Sequence, residues 1–218
     1  MMEPGDGPFG FSRREWRMLQ RLRTPKSIQR LLDSLSYHEA DTAWSPRRVL
    51  RERTGHCLEG ALLAAAALRA IGRPPLIFDL EAERDTDHVV ALYRQGPYWG
   101  AIAKSHFTGL RDRAPIYRNL RELAMSYFDD YFNALGERTL RGYSRPIDLR
   151  KFDRRNWMTS DKPVWFIPEY LIEMPHEKLV SRAQVKRLYR VDMLGVDAGL
   201  LGHRRPKSLS ARGPRRKS

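Results

Sequence analysis

The order of apolar and polar residues divides the first half of the chain into short helices, one long apolar helix and a run of strands. Ser12-Arg13-Arg14-Glu15 has the form of a capping box, in which side chain and backbone at a helix start satisfy one another. Trp16, Leu19 and Leu22 follow it at helical spacing. Thr24-Pro25 supplies a second start, a capping residue and the proline that suits the first helical position, with Ile28, Leu31, Leu32 and Leu35 as its stripe. Residues 37–44 read as a polar connection. Ser45-Pro46 opens a third short helix through Arg51, and Gly55 punctuates before the next. Cys57 opens that next helix. From Leu58 to Ile71 the pattern is apolar on nearly every side, with consecutive alanines at 64–67. A helix of this kind is buried, and its small residues let another element approach closely. Gly72 closes it, and Pro74 and Pro75 prevent its continuation.

Three strands are predicted next: Leu76-Ile77-Phe78-Asp79-Leu80, then His88 to Arg94, then Tyr98-Trp99-Gly100-Ala101-Ile102-Ala103. The turn Gln95-Gly96-Pro97 makes a hairpin of the last two. Residues 107–115 are predicted as a loop. Leu120, Leu123, Ala124, Tyr127, Phe128 and Tyr131 predict a long helix ending near Gly136. Residues 137–163 read as irregular and basic. Val164-Trp165-Phe166-Ile167 is predicted as a strand that 169–174 extend, and Pro175 as the start of a helix through Leu179, Ala183, Leu188 and Tyr189.

Composition changes this picture at the ends. With 218 residues, 41% hydrophobic and 30% charged, the chain fits one folded domain over 11–202 rather than a disordered protein. Residues 1–10, rich in Gly and Pro, are expected to be loose. Seven of the cations, and no acid, fall in 203–218, which is half of the net charge of +14. That tail is expected to be disordered, and it reads either as a polyanion-binding arm or as a solvated end. The longest apolar run, 61–68, is too short to span a bilayer, and the N-terminus has no signal-peptide pattern. A cytoplasmic protein without membrane insertion is expected. The only cysteine rules out an internal disulfide and multi-cysteine zinc sites. His176-Glu177 lacks the second histidine of a metalloprotease helix, and no P-loop or dinucleotide fingerprint is present. No metal and no cofactor are expected.

The candidate chemistry lies at Cys57. A thiol ionises near pH ~8.5 in water. The positive end of its helix, Arg51 and Arg53 upstream, and a histidine across the gap are expected to lower that value. His88, at the mouth of a strand, is the candidate base. His56 sits beside the cysteine and cannot face it, so it is expected only to modify local charge. Arg150, Lys151, Arg154, Arg155 and Trp157 read either as an aromatic and basic nucleic-acid surface or as a solvated loop.

Arg53-x-Gly55-x-Cys57, the apolar helix, Leu68-Arg69-Ala70-Ile71-Gly72-x-Pro74, and His88 to Tyr93 with Gly96 and Trp99 resemble the transglutaminase-like family over residues 46–105. The resemblance implies an α+β fold with a papain-like core: a buried nucleophile helix packed on a small antiparallel sheet, with flanking helices. It implies acyl transfer, in which Cys57 attacks an amide or ester carbonyl and His88 is base and then acid. Backbone N–H groups at the start of the Cys57 helix would stabilise the oxyanion. The family has an aspartate near the end of the third strand to orient the histidine. Here that place reads Ala103-Lys104-Ser105-His106. Ser105 is the expected third member, by a weaker hydrogen bond, with Asp79 as its alternative, and Lys104 would oppose an imidazolium. Three functions stay open: a cysteine acyltransferase or amide hydrolase acting on a protein or other amide substrate, a catalytically silent fold used for binding, and a basic nucleic-acid-associated protein.

Overall fold

The computed structural model describes residues 5–201, so the basic tail expected over 203–218 lies outside the described residues. The class is α+β. Helices α1 (Arg13–Gln20), α2 (Pro25–Asp33) and α3 (Pro46–Glu52) precede the long α4 (Cys57–Ala70). The sequence signals at their starts are the ones used. Ser12 and Glu15 form the reciprocal cap of α1, Thr24 and Ser27 that of α2, and the Ser45 hydroxyl accepts from the Arg48 N–H.

Strands β1 (Leu76–Ala82), β2 (His88–Gln95), β3 (Tyr98–Ile102) and β4 (Arg113–Tyr117) follow as an antiparallel meander. Helix α5 (Leu120–Met125) comes next, then β5 (Leu140–Ser144) and β6 (Ile147–Asp148). The chain ends with α6 (Phe166–Glu173), β7 (His176–Lys178), α7 (Arg182–Val185) and α8 (Met193–Gly199). The sheet order is β4-β3-β2-β1-β5-β7, with β6 also on β1, and every pairing is antiparallel.

Both faces of this sheet are covered, which is why β2 is buried over its first six residues rather than alternating. On one face α4 packs against Ile77, Val89, Ala91 and Tyr93. On the other, Phe78, Leu80, Val90 and Leu92 meet Leu123, Tyr127 and Tyr131. The small residues of α4 permit close approach. A Cβ on Gly60 would overlap that of Lys104, just past the end of β3. Leu62, Leu63 and Leu68 are fully buried, and cutting any one to alanine would cost about 3 kcal/mol.

Several expected elements differ. The loop over 107–115 contains the start of β4 and a 3-10 turn at Thr108–Leu110. The helix from Leu120 stops at Met125, where the backbone goes over to three-residue turns (Tyr127 N–H to Ala124, Phe128 N–H to Met125), and the Tyr127 and Tyr131 hydroxyls donate to the carbonyls of Arg111 and Thr86. The stretch expected to be irregular holds β5, β6 and a 3-10 segment at Leu149–Arg155. The strand expected at 164–167 gives way to α6, with Ile167 and Leu171 buried on one helical face and Val164 buried just before it. Pro175 precedes a strand rather than a helix, since 176–178 pair with β5. Of the N-terminal residues expected to be loose, Pro8–Gly10 form a 3-10 turn. The Phe9 ring lies 3.8 Å from the Arg69 guanidinium, and the Phe9 carbonyl accepts from the Thr159 hydroxyl at 3.0 Å.

Candidate active site

Cys57 is the first residue of α4 and His88 the first of β2. The two starts meet. Cys57 Sγ lies 3.9 Å from the carbonyl oxygen of Asp87, the residue before His88. Both side chains line one narrow cavity of about 60 Å3. Its wall is mixed, with the rings of Tyr37, Phe107, Tyr131 and Phe132 beside Asp85, Thr86 and Asp87.

The turn before Cys57 is shaped by Arg53 as much as by Gly55. Arg53 ends α3 in the left-handed region at φ 58°, and the Gly55 N–H donates to the Ser36 carbonyl at 3.2 Å. The Arg53 guanidinium donates to the hydroxyl of Ser34 at 3.1 Å, and Arg51 pairs with Glu52. Both arginines are thus committed away from the sulfur. Burial pushes the thiol up to about 11, more than the N–H groups of Val89 and Leu58 pull it down, and the charge of Asp79 adds to the rise. The expected lowering is not what this environment produces.

His88 is buried, with its Nε2 2.8 Å from the Leu110 carbonyl oxygen. A carbonyl only accepts, so Nε2 carries the hydrogen, and the neutral ring keeps its lone pair on Nδ1. Burial lowers the imidazole to about 4, against the raising effect of that hydrogen bond, and the Arg113 charge lowers it further. Nε2 of the ring is therefore held by a backbone oxygen.

Ser105 lines the same cavity, but its Oγ accepts from the Phe107 N–H at 3.0 Å, and the atom at His88 Nε2 is the Leu110 oxygen. Lys104 faces away from the imidazole. Its buried Nζ donates to the carbonyls of Leu32 at 2.9 Å and Leu35 at 2.5 Å, at and just past the end of α2, and burial lowers its pKa. Asp79 belongs to another histidine. Its Oδ2 lies 3.1 Å from His176 Nε2, while its buried Oδ1 has no partner. Burial raises the Asp79 carboxyl, and the Asp79 carboxylate in turn raises His176.

Sequence reasoning missed Glu59. This carboxylate, fully buried on α4, accepts from the Thr42 hydroxyl at 2.7 Å, the Trp44 N–H at 2.9 Å and the His56 N–H at 3.2 Å, and lies 2.8 Å from His38 Nε2. It ties the 37–44 connection to the helix that carries Cys57. His56 Nε2 donates to the Thr42 carbonyl at 2.7 Å, so it braces the same connection. An acid inside a helix that is apolar all round was the available signal. Tyr37 was also missed. Its ring meets that of His106 edge-on at 4.2 Å, and both line the cavity. Trp157 is fully buried, with its Nε1 donating to Asp153 at 3.2 Å, and Arg155 and Lys151 stack on Phe166 and Tyr170. The 150–157 stretch therefore presents no open tryptophan for a base.

Among the described residues no group of three His, Cys, Asp or Glu side chains is arranged to hold a metal ion, and no helix is long and apolar enough to cross a membrane. Compared with models of known protein families and with curated protein sequences, the chain matches none.

Proposed function

We propose that the chain is a cysteine-dependent acyltransferase or amide hydrolase built on a transglutaminase-like, papain-like core. The observation that carries this proposal is the shared cavity of Cys57 and His88, with the lone pair of His88 confined to Nδ1 by the Leu110 carbonyl. The sulfur attacks the carbonyl carbon of the substrate as its proton passes to Nδ1 and the carbonyl electron pair moves to oxygen. Collapse of the adduct breaks the bond to the leaving amine, which takes the proton from His88. Water or a second amine then takes the acyl group from sulfur, through the same base. With the thiol at about 11 and the imidazole at about 4, the resting pair is neutral, so the proton moves during attack rather than before it. The Leu110 carbonyl orients the ring as a triad carboxylate would, without the negative charge that favours an imidazolium.

The test is acetylation of the full-length protein by p-nitrophenyl acetate at neutral pH, read on the Cys57 peptide by mass spectrometry. The acetyl group is expected on Cys57, at a rate lowered by about a hundredfold or more in His88→Ala. Equal, slow labelling of parent and variant would sink the proposal.

A second reading, a catalytically silent fold of the same type used for binding, is favoured by the small size of the site. Its volume of about 60 Å3 is far below the range of ordinary ligand sites. Under that reading the thiol reacts only as the pH approaches about 11, with or without His88.

A further inference from the structure

A second concavity lies away from the thiol. The end of β1, β5, β7 and α7 enclose a cleft of about 770 Å3, within the size range of ligand sites. Ala82, Val180 and Val185 give it apolar surface. Four cations line it, and they differ in how they are held. Arg141 is paired with Glu83 at 2.7 Å. The side chains of Lys178, Arg182 and Lys186 are exposed and have no acidic partner among the described residues. Lys178 stands on the edge strand of the sheet, and Arg182 and Lys186 flank Val185 on α7 and just beyond it.

Three unpaired cations around an apolar floor leave a charge deficit that an anionic group with apolar neighbours would fill. We infer that this cleft docks an acidic peptide segment of a partner protein, carboxylates on Lys178, Arg182 and Lys186 and small apolar side chains on Val180 and Val185. A nucleic acid suits it less. The lining holds no aromatic ring on which a base would stack, and Glu81 and Glu83 interrupt the cationic track that a phosphate backbone follows. A peptide has separated charges, and its N–H groups can meet Glu81. The docking is independent of whether Cys57 performs acyl transfer.

The experiment uses the full-length chain and a fluorescein-labelled peptide of alternating glutamate and valine, followed by fluorescence anisotropy at low ionic strength. The variant Lys178→Glu/Arg182→Glu/Lys186→Glu is expected to weaken binding by about tenfold or more. The variant Arg14→Glu/Arg17→Glu/Arg21→Glu on exposed positions of α1 and its end makes the same change in net charge, and is expected to stay within about twofold of the parent. The charge of residues 203–218 is common to all three proteins. All six positions are exposed, so the fold is retained, and Lys178→Gln/Arg182→Gln/Lys186→Gln should give a smaller loss in the same direction. Equal losses in the two glutamate variants would overturn the site in favour of diffuse charge. So would absence of binding to the parent. Displacement of the peptide by an oligothymidylate at lower concentration than by unlabelled peptide would overturn it in favour of nucleic acid.

Discussion

His88 and His176 each open a strand of the same sheet, and they are held in opposite electrostatic states. His88 is buried against a backbone carbonyl, and its imidazole is pushed down to about 4. His176 is partly exposed, faces the Asp79 carboxylate at 3.1 Å, and its imidazole is raised. Either partner can orient a ring. Only the charged one outweighs burial and raises the ring above its ordinary value. The central strand β1 thus supplies its aspartate to the histidine at the sheet edge, while the histidine beside the thiol is oriented without charge. This difference separates geometry suited to a nucleophilic site from electrostatics that would prime it.

The largest expected effect comes from a second acid that calibrates the comparison. Glu59 is buried like Asp79 but fully partnered, so Glu59→Ala should cost about 3–5 kcal/mol in denaturant unfolding, by stranding the groups bonded to it. A smaller loss than in Asp79→Asn would reverse the ranking of the two acids. Next comes the acid limb of His88. Its folded value lies below the ordinary 6.5, so as the pH falls the unfolded chain takes up the proton first. Stability present above about 6.5 should be lost toward about 4, by about 3 kcal/mol, and His88→Gln should flatten that slope.

His176 has the opposite sign. Its raised value contributes stability that is fully present below the ordinary value and is lost as the pH rises through the folded one. Asp79→Asn should return the His176 titration, followed by NMR, toward the ordinary value. It should cost only about 1 kcal/mol, since burial already disfavours the carboxylate and one of its oxygens is unpartnered. An unmoved His176 titration would show that the pair does not act as drawn. Ser105→Ala is the mildest change. It removes the bond to the Phe107 N–H, costs about 1 kcal/mol or less, and leaves the His88 titration in place. A displaced titration would restore the serine as the orienting group.

The parts of this arrangement that were legible in the sequence rest on local chemistry. Ser12 with Glu15, Thr24 with Pro25, and the Gly72 exit from α4 act within a few residues of themselves, so their spelling suffices. That Cys57 opens a helix and His88 a strand was legible for the same reason, whereas their meeting in one cavity was expected from the family resemblance and depends on the packing of α4 on β2. The misread elements depend on distant partners. Tyr127 and Tyr131 keep helical spacing, yet their hydroxyls reach Arg111 and Thr86. Leu140-Arg141-Gly142-Tyr143-Ser144 has a glycine at its centre and becomes a strand by pairing with β1 and β7. The orienting oxygen at Leu110 was not legible in principle, because every residue type carries a carbonyl. Glu59 was legible and overlooked.

The meander of β1 to β4 has a bearing on the order in which the molecule assembles. Strands adjacent in the chain are adjacent in the sheet, and α4 directly precedes them, so residues 57–117 need only short loops to close. Cys57, His88 and the Leu110 oxygen all belong to this stretch. Tyr131 and Phe132 come later in sequence, and β7 joins β5 through only three residue pairs. Hydrogen exchange should accordingly find the amides of β1 and β2 among the slowest and those of β7 among the fastest of the strands. Cys57 and His88 would be brought together in the first part of the chain to fold, and Tyr131 and Phe132 would close over them afterwards.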